Sequence, residues 1–150
     1  MIFKRALIFM YLCSCFGWTQ TRPAIKDSLQ IITLLTEQKN AWNQGNIDLF
    51  MEGYLQSEKL VFSGAGGPVY GWNNTRDRYK KNYPDKETMG TLQFEFLSMQ
   101  QLDKRIMQLQ GAYYLERTQK ANSSGFFTLI LKKVDQNWLI VSDHTSARNP

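Results

Sequence analysis

The stretch GFFTLILKKVDQNWLIVSDHTS, residues 125–146, decides the fold. Two runs rich in apolar and β-branched residues, 126–134 and 138–145, flank the short link DQN, which predicts an antiparallel strand pair. The alternating side-chain direction of a strand sets Trp138, Ile140, Ser142 and His144 on one face and Leu139, Val141, Asp143 and Thr145 on the other. On that reading Asp143 and His144 point apart and form no dyad unless a bulge intervenes.

Upstream, residues 91–102 and 106–118 read as two further strands, and the links DK, QKANSSG and DQN are short enough for an antiparallel meander. KLVFS, the turn GAGGP and VYG precede them as a small strand pair. The segment before that is helical. Ile25, Leu29, Ile32, Leu35 and Trp42 fall near one face of a long amphipathic helix that Gly45 stops. Asn46 caps a short second helix, where Ile47, Phe50, Met51 and Tyr54 recur at i, i+3, i+4 and i+7. A third helix, WNNTRDRYKKNYP, is capped near Asn73 or Asn74 and ends at Pro84, with Trp72, Arg76, Tyr79 and Tyr83 on one face. Helices followed by a long antiparallel sheet is an α+β order. Because a long twisted sheet curls, helices packed on its concave side enclose a conical space.

Composition bounds the rest. At 150 residues, 43% hydrophobic and 13% aromatic, the chain supports one domain with a full core. Residues 1–19 have the layout of a signal peptide: Lys4 and Arg5, an apolar run over 6–16, then small or polar residues before Gln20. That run is too short for a stable membrane span. The expectation is an exported protein, periplasmic or secreted; the alternative is a lipoprotein anchored through Cys15 of LCSC. Cleavage before Gln20 removes Cys13 and Cys15, and with them any disulfide or thiolate chemistry. It also removes Lys4 and Arg5, lowering the net charge of +5 by two, too little to suggest nucleic acid.

The segments AWNQGNIDLFMEGY, VYGWNNTRDRYKKNYP and GFFTLILKKVDQNWLIVSDHTS, in that order, resemble the SnoaL-like branch of the nuclear transport factor 2-like superfamily. The resemblance spans residues 25–147. It implies a cystatin-like, cone-shaped roll of N-terminal helices on a curved antiparallel sheet, usually dimeric, in a superfamily that includes ketosteroid isomerases and polyketide cyclases. Relatives often carry Gly-Arg-Trp where this chain has Gly111, Ala112 and Tyr113, so a role for that arginine does not transfer. Exposed strand residues such as Leu97, Met99 and Leu129 suggest a homodimer face.

Three functions fit this reading. One is an exported domain binding a small apolar or carbonyl-containing molecule, with Trp42, Tyr54, Arg76, Tyr79, Tyr83 and Trp138 as candidate ligand-binding residues. The second is an isomerase or cyclase with His144, the sole histidine, as general acid and base. The third is a non-catalytic oligomerisation or interaction module with a filled cone. The alternative readings are structural: His144 finishes a strand, and Arg76 with Arg78, Lys80 and Lys81 forms a solvated face. One histidine without a ligand cluster points to no metal, and no motif calls for a cofactor.

Overall fold

The computed structural model describes residues 25–148, so the expected leader, with Cys13 and Cys15, lies outside the described residues. Helix α1, Ile25–Asn43, ends where Gly45 turns to φ +80°. There the Gly45 amide donates to the Trp42 carbonyl and the Asn46 amide to that of Ala41, a Schellman closure of the last turn. The Asn46 side chain then accepts from the Leu49 amide and starts α2, Ile47–Met51. Five residues carry α2, so Tyr54 lies beyond it, in a parallel bridge to Ile140.

The buried stripe of α1 is Ile31, Leu35, Gln38 and Trp42, spaced i, i+4, i+7 and i+11. Ile25, Leu29 and Ile32, expected on that face, lie about a third of a turn around it at 100° per residue. They are correspondingly exposed.

Strands β1, Val61–Gly64, and β2, Gly67–Tyr70, form a hairpin ahead of α3, Trp72–Asn82. This helix begins on Gly71 at φ +87° without a side-chain cap; Asn74, a predicted cap, donates instead to the Tyr70 carbonyl. A short helix that the sequence did not suggest follows. This is α4, Lys86–Met89, capped by Asp85, which accepts from the Thr88 amide.

Four long strands complete the fold: β3, Thr91–Asp103; β4, Ile106–Glu116; β5, Ser123–Val134; and β6, Asn137–Ala147. They form the predicted meander, and the six-stranded sheet runs β2-β1-β6-β5-β4-β3. The β5–β6 turn is two residues, Asp135 and Gln136, both at positive φ, whose twist matches the paired strands. β1 joins β6 in parallel, the one non-antiparallel pairing between the sheet's strands.

Helices and the concave face share one core, in which Ile31, Leu35 and Met51 meet Leu109, Leu131 and Ile140. Two side chains lock α1 to the start of β3. The Asn43 amide donates to the Leu92 carbonyl and accepts from the Leu92 amide, and Trp42 donates to the Met89 carbonyl. On the sheet, Leu97 is exposed as expected of a free face, whereas Met99 is half-buried and Leu129 is buried. The reason is register: Met99 pairs with the core residue Leu109, and Leu129 pairs with the buried Asp143, so both face the cone.

Gly111 of β4 has no room for a side chain. A Cβ there would meet the Phe127 ring and lie 2.7 Å from the Glu95 carbonyl oxygen. Gly111→Ala should therefore cost roughly 1–3 kcal/mol through overpacking, read as a lowered urea midpoint at unchanged slope.

Candidate functional site

Strand β6 holds one residue more than its partner. Ile140 pairs with Leu131 and Ser142 with Ile130, leaving Val141 as a bulge. Each residue beyond it changes face. Asp143 and Thr145 consequently follow Trp138 and Ile140 into the cone, while His144 is exposed on the outer face. The expected grouping of His144 with Trp138 and Ile140 is thus corrected by a single extra residue, and His144 is not among the residues that line the cone's cavity.

Asp143 is 4% exposed and has no cationic partner among the described residues. Its Oδ2 accepts from the Tyr54 hydroxyl at 2.7 Å and its Oδ1 from the Thr145 hydroxyl at 2.8 Å. Burial pushes the carboxyl up to about 6, against the pull of those two hydroxyls and of nearby His144. Burial also raises the Tyr54 and Tyr79 hydroxyls well above the usual phenol range, and the negative charge of Asp143 adds to it. The two phenols are 3.5 Å apart, so Tyr79, Tyr54 and Asp143 form a file of exchangeable protons.

This file borders a cavity of about 260 Å³. Its wall is aromatic and aliphatic: Trp42, Phe50, Tyr79, Tyr83, Phe127 and Leu129. Trp42 meets Phe50 and Tyr83 edge to face at 5.3 and 4.7 Å, and Tyr79 meets Phe50 in the same manner at 5.3 Å. Ala65 and Asn82 also line the cavity and are exposed, which places an opening between the β1–β2 turn and the end of α3.

Of the residues singled out in the sequence, Trp42, Tyr54, Tyr79 and Tyr83 converge here; Arg76 and Trp138 do not. The inner face of α3 is centred on Thr75 and Tyr79, so Arg78 and Asn82 turn toward the cavity. Arg76 sits on the flank, pairing with Asp77 at 2.9 Å and stacking over Trp72. Trp138 is buried elsewhere. Its indole donates to Asp27 at 3.0 Å beside the Lys133 ammonium, and these bonds, Lys133 first, hold the Asp27 carboxyl below the usual range. Asp143 and Arg78 are the site residues missed in the sequence. The uninterrupted apolar run 138–141, where alternation has no phase, is the one signal of the bulge that exposes Asp143 to the cone.

No cluster of three or more histidine, cysteine or acidic side chains suited to a metal occurs among the described residues. No helix among them is long and apolar enough to cross a membrane.

No family model matches the chain, and no curated protein matches it significantly. Solved structures do. The chain is 38% identical to an NTF-2 like protein of unknown function from Shewanella oneidensis, covering 80% of this chain and 98% of that one at a TM-score of 0.76. A domain of unknown function with a cystatin-like fold from Nostoc punctiforme is 15% identical, with 85% and 81% covered and a TM-score of 0.72. A ketosteroid isomerase-like protein from Erwinia carotovora atroseptica is 14% identical, with 85% and 100% covered and a TM-score of 0.68. The last two likenesses concern the fold.

The Asp143 carboxyl titrates near its ordinary 3.8 when unfolded and at about 6 when folded, so the folded state holds the extra proton between those values. Its contribution to stability is best below that window and falls as pH rises through it, by roughly 3 kcal/mol in full. Asp143→Asn removes the titration. Urea denaturation should show the stability difference moving toward the variant by that amount between about pH 4 and about pH 7; a difference independent of pH would return the carboxyl to its ordinary value.

Proposed function

The chain belongs to the nuclear transport factor 2-like family, and from that premise we propose that it is an exported domain whose cone binds a small, largely apolar molecule. The observation that carries the reading is the cavity itself: about 260 Å³, walled by aromatic rings, with one buried carboxyl and its tyrosine as the principal polar point. Such a site takes up apolar surface non-directionally and orients the ligand through one or two hydrogen bonds. Protonated Asp143, or the Tyr79 hydroxyl at the other end of the file, supplies a donor to a ligand carbonyl. An open cone supports binding over a purely structural module with a filled interior.

A second reading, acid–base catalysis, rests on Asp143 in place of His144. A carboxyl titrating at about 6 without a cation is ionised at neutral pH yet basic for its type, as proton abstraction beside a carbonyl requires. The phenols alongside supply hydrogen bonds for a developing enolate oxygen. On this reading Asp143→Asn retains ligand and loses turnover.

Binding is tested with a neutral fluorescent probe, N-phenylnaphthylamine. Wild type should bind it with enhanced probe emission and quenching of tryptophan, since Trp42 lines the cavity. Ala65→Trp places an indole at the opening, on an exposed turn that tolerates it, and should weaken binding by about tenfold or more. Equal binding by wild type and variant places the probe outside the cone and removes the support for this function.

Export is supported by the Lys-Arg start and short apolar run of residues 1–19. A homodimer is supported by the outer sheet face, where Leu97, Tyr114 and Phe126 are 53%, 40% and 42% exposed. Native mass spectrometry of the exported protein should give a dimer of chains beginning at Gln20. A chain beginning at a lipidated Cys15 would select the anchored form instead, and a monomer would leave the sheet face without this partner.

A further inference from the structure

We infer that the molecule held in the cone is an amphiphilic monocarboxylate, its apolar body among the aromatic rings and its anionic head on Arg78 at the opening. The inference rests on the binding function proposed above and adds the chemical class of the ligand.

Arg78 differs from Arg76 and Lys80 of its helix, and unlike Lys81 it lines the cavity. Arg76 pairs with Asp77 at 2.9 Å and Lys80 with Asp48 at 2.8 Å, whereas Arg78 has no carboxylate partner among the described residues. Asp143, the carboxylate that also lines the cavity, has both oxygens engaged by Tyr54 and Thr145. The guanidinium is nonetheless held in place. Its Nη1 donates to the Gly67 carbonyl at 3.0 Å and its Cζ lies 5.2 Å from the centre of the Phe62 ring, so the group is oriented before any ligand arrives. One of five N–H donors is thereby used. Nε and Nη2 have no protein acceptor among the described residues and offer a fork suited to a carboxylate.

The turn facing this group is shaped around it. Gly64 and Gly66 are not among the glycines at positive φ, so backbone conformation does not demand glycine there. A Cβ at Gly64 or Gly66 would lie 3.3 or 3.1 Å from Nη2 of Arg78, a tight contact that would press on the guanidinium. Bare backbone at 64 and 66 therefore keeps the guanidinium open. Among the described residues Arg78 is the one cation lining the cavity, which matches a singly charged head; a phosphate would leave a second charge without a partner.

The test compares naphthoate with its neutral isostere naphthamide, by calorimetric titration of the mature protein at about pH 8. Wild type should prefer the carboxylate by about tenfold or more, as expected for a charge-assisted hydrogen-bond pair. Arg78→Gln should remove that preference while still binding the amide, Arg78→Lys should retain part of it, and Arg76→Gln should behave as wild type. Equal binding of the two probes by wild type, or a full preference surviving in Arg78→Gln, overturns the assignment. In either of those cases retained naphthamide binding leaves the cone's binding function standing; if neither probe binds wild type, the binding function and this inference fall together.

Discussion

Val141 has no partner in β5, and the architecture of the site follows from that. The backbone on either side of the bulge is used by different parts of the chain. Before it, the Ile140 amide donates to the Gly53 carbonyl and the Leu55 amide donates to the Ile140 carbonyl, which fixes Tyr54 against β6. After it, Ser142, Asp143 and His144 pair with Val61, Phe62 and Ser63 of β1. The bulge thus divides the edge of β6 between the exit from α2 and the first strand. It also reverses the facing of the strand's end, and the two effects together bring the Tyr54 hydroxyl to Asp143. A regular β6 would present His144 to the cone and leave Asp143 among solvated outer residues.

Placing a carboxyl there opposes folding. An aspartate in apolar surroundings keeps its charge at a cost, and two hydroxyl donors offset part of it without a counterion. The result is a group able to hold or release its proton near neutrality, an uncommon property for a side chain whose ordinary value is 3.8. A cation close by would have stabilised the ionised form and removed that property. Arg78 lies on the same cavity yet does not pair with Asp143, and this separation gives the cone a titratable interior and a permanently charged opening.

The fold was legible because its determinants are local. Gly45 and Asn46 carry both halves of the α1–α2 junction in their own chemistry, and short links force the four long strands into a meander. Trp42, Tyr54, Tyr79 and Tyr83 were legible as a group, since apolar periodicity points them toward whatever the helices cover. The two side chains that define the site's polarity were not. Asp143 depends on a bulge inside a run where every residue is apolar, so no alternation survives to reveal its phase. Arg78 depends on a rotation of α3 set by the burial of Thr75, a small polar residue that hydropathy does not mark as interior. Trp138 misleads in the opposite way: its bulk suggests a pocket wall, but Asp27 and Lys133, more than a hundred positions apart in sequence, claim its ring and its N–H.

Two unfavourable features coincide in one place. A sealed, dry void of about 260 Å³ would cost about 6 kcal/mol at the rate found for core cavities, and access to water lowers that cost without abolishing it. The buried carboxyl adds to it, against a net stability of roughly 5–15 kcal/mol for a domain. The surrounding structure is conspicuously well satisfied: the Asn43 amide closes a two-bond bridge to Leu92, Trp42 and Trp72 both find carbonyl acceptors, and Asp27 receives two donors. A void and a buried carboxyl without a counterion, meeting at one cavity, are the pattern left when a site, rather than packing, has determined the residues. The aromatic rings around the cone serve both ends, because the edge-to-face contacts that stiffen Trp42, Phe50 and Tyr79 also prevent them from collapsing into the space they enclose.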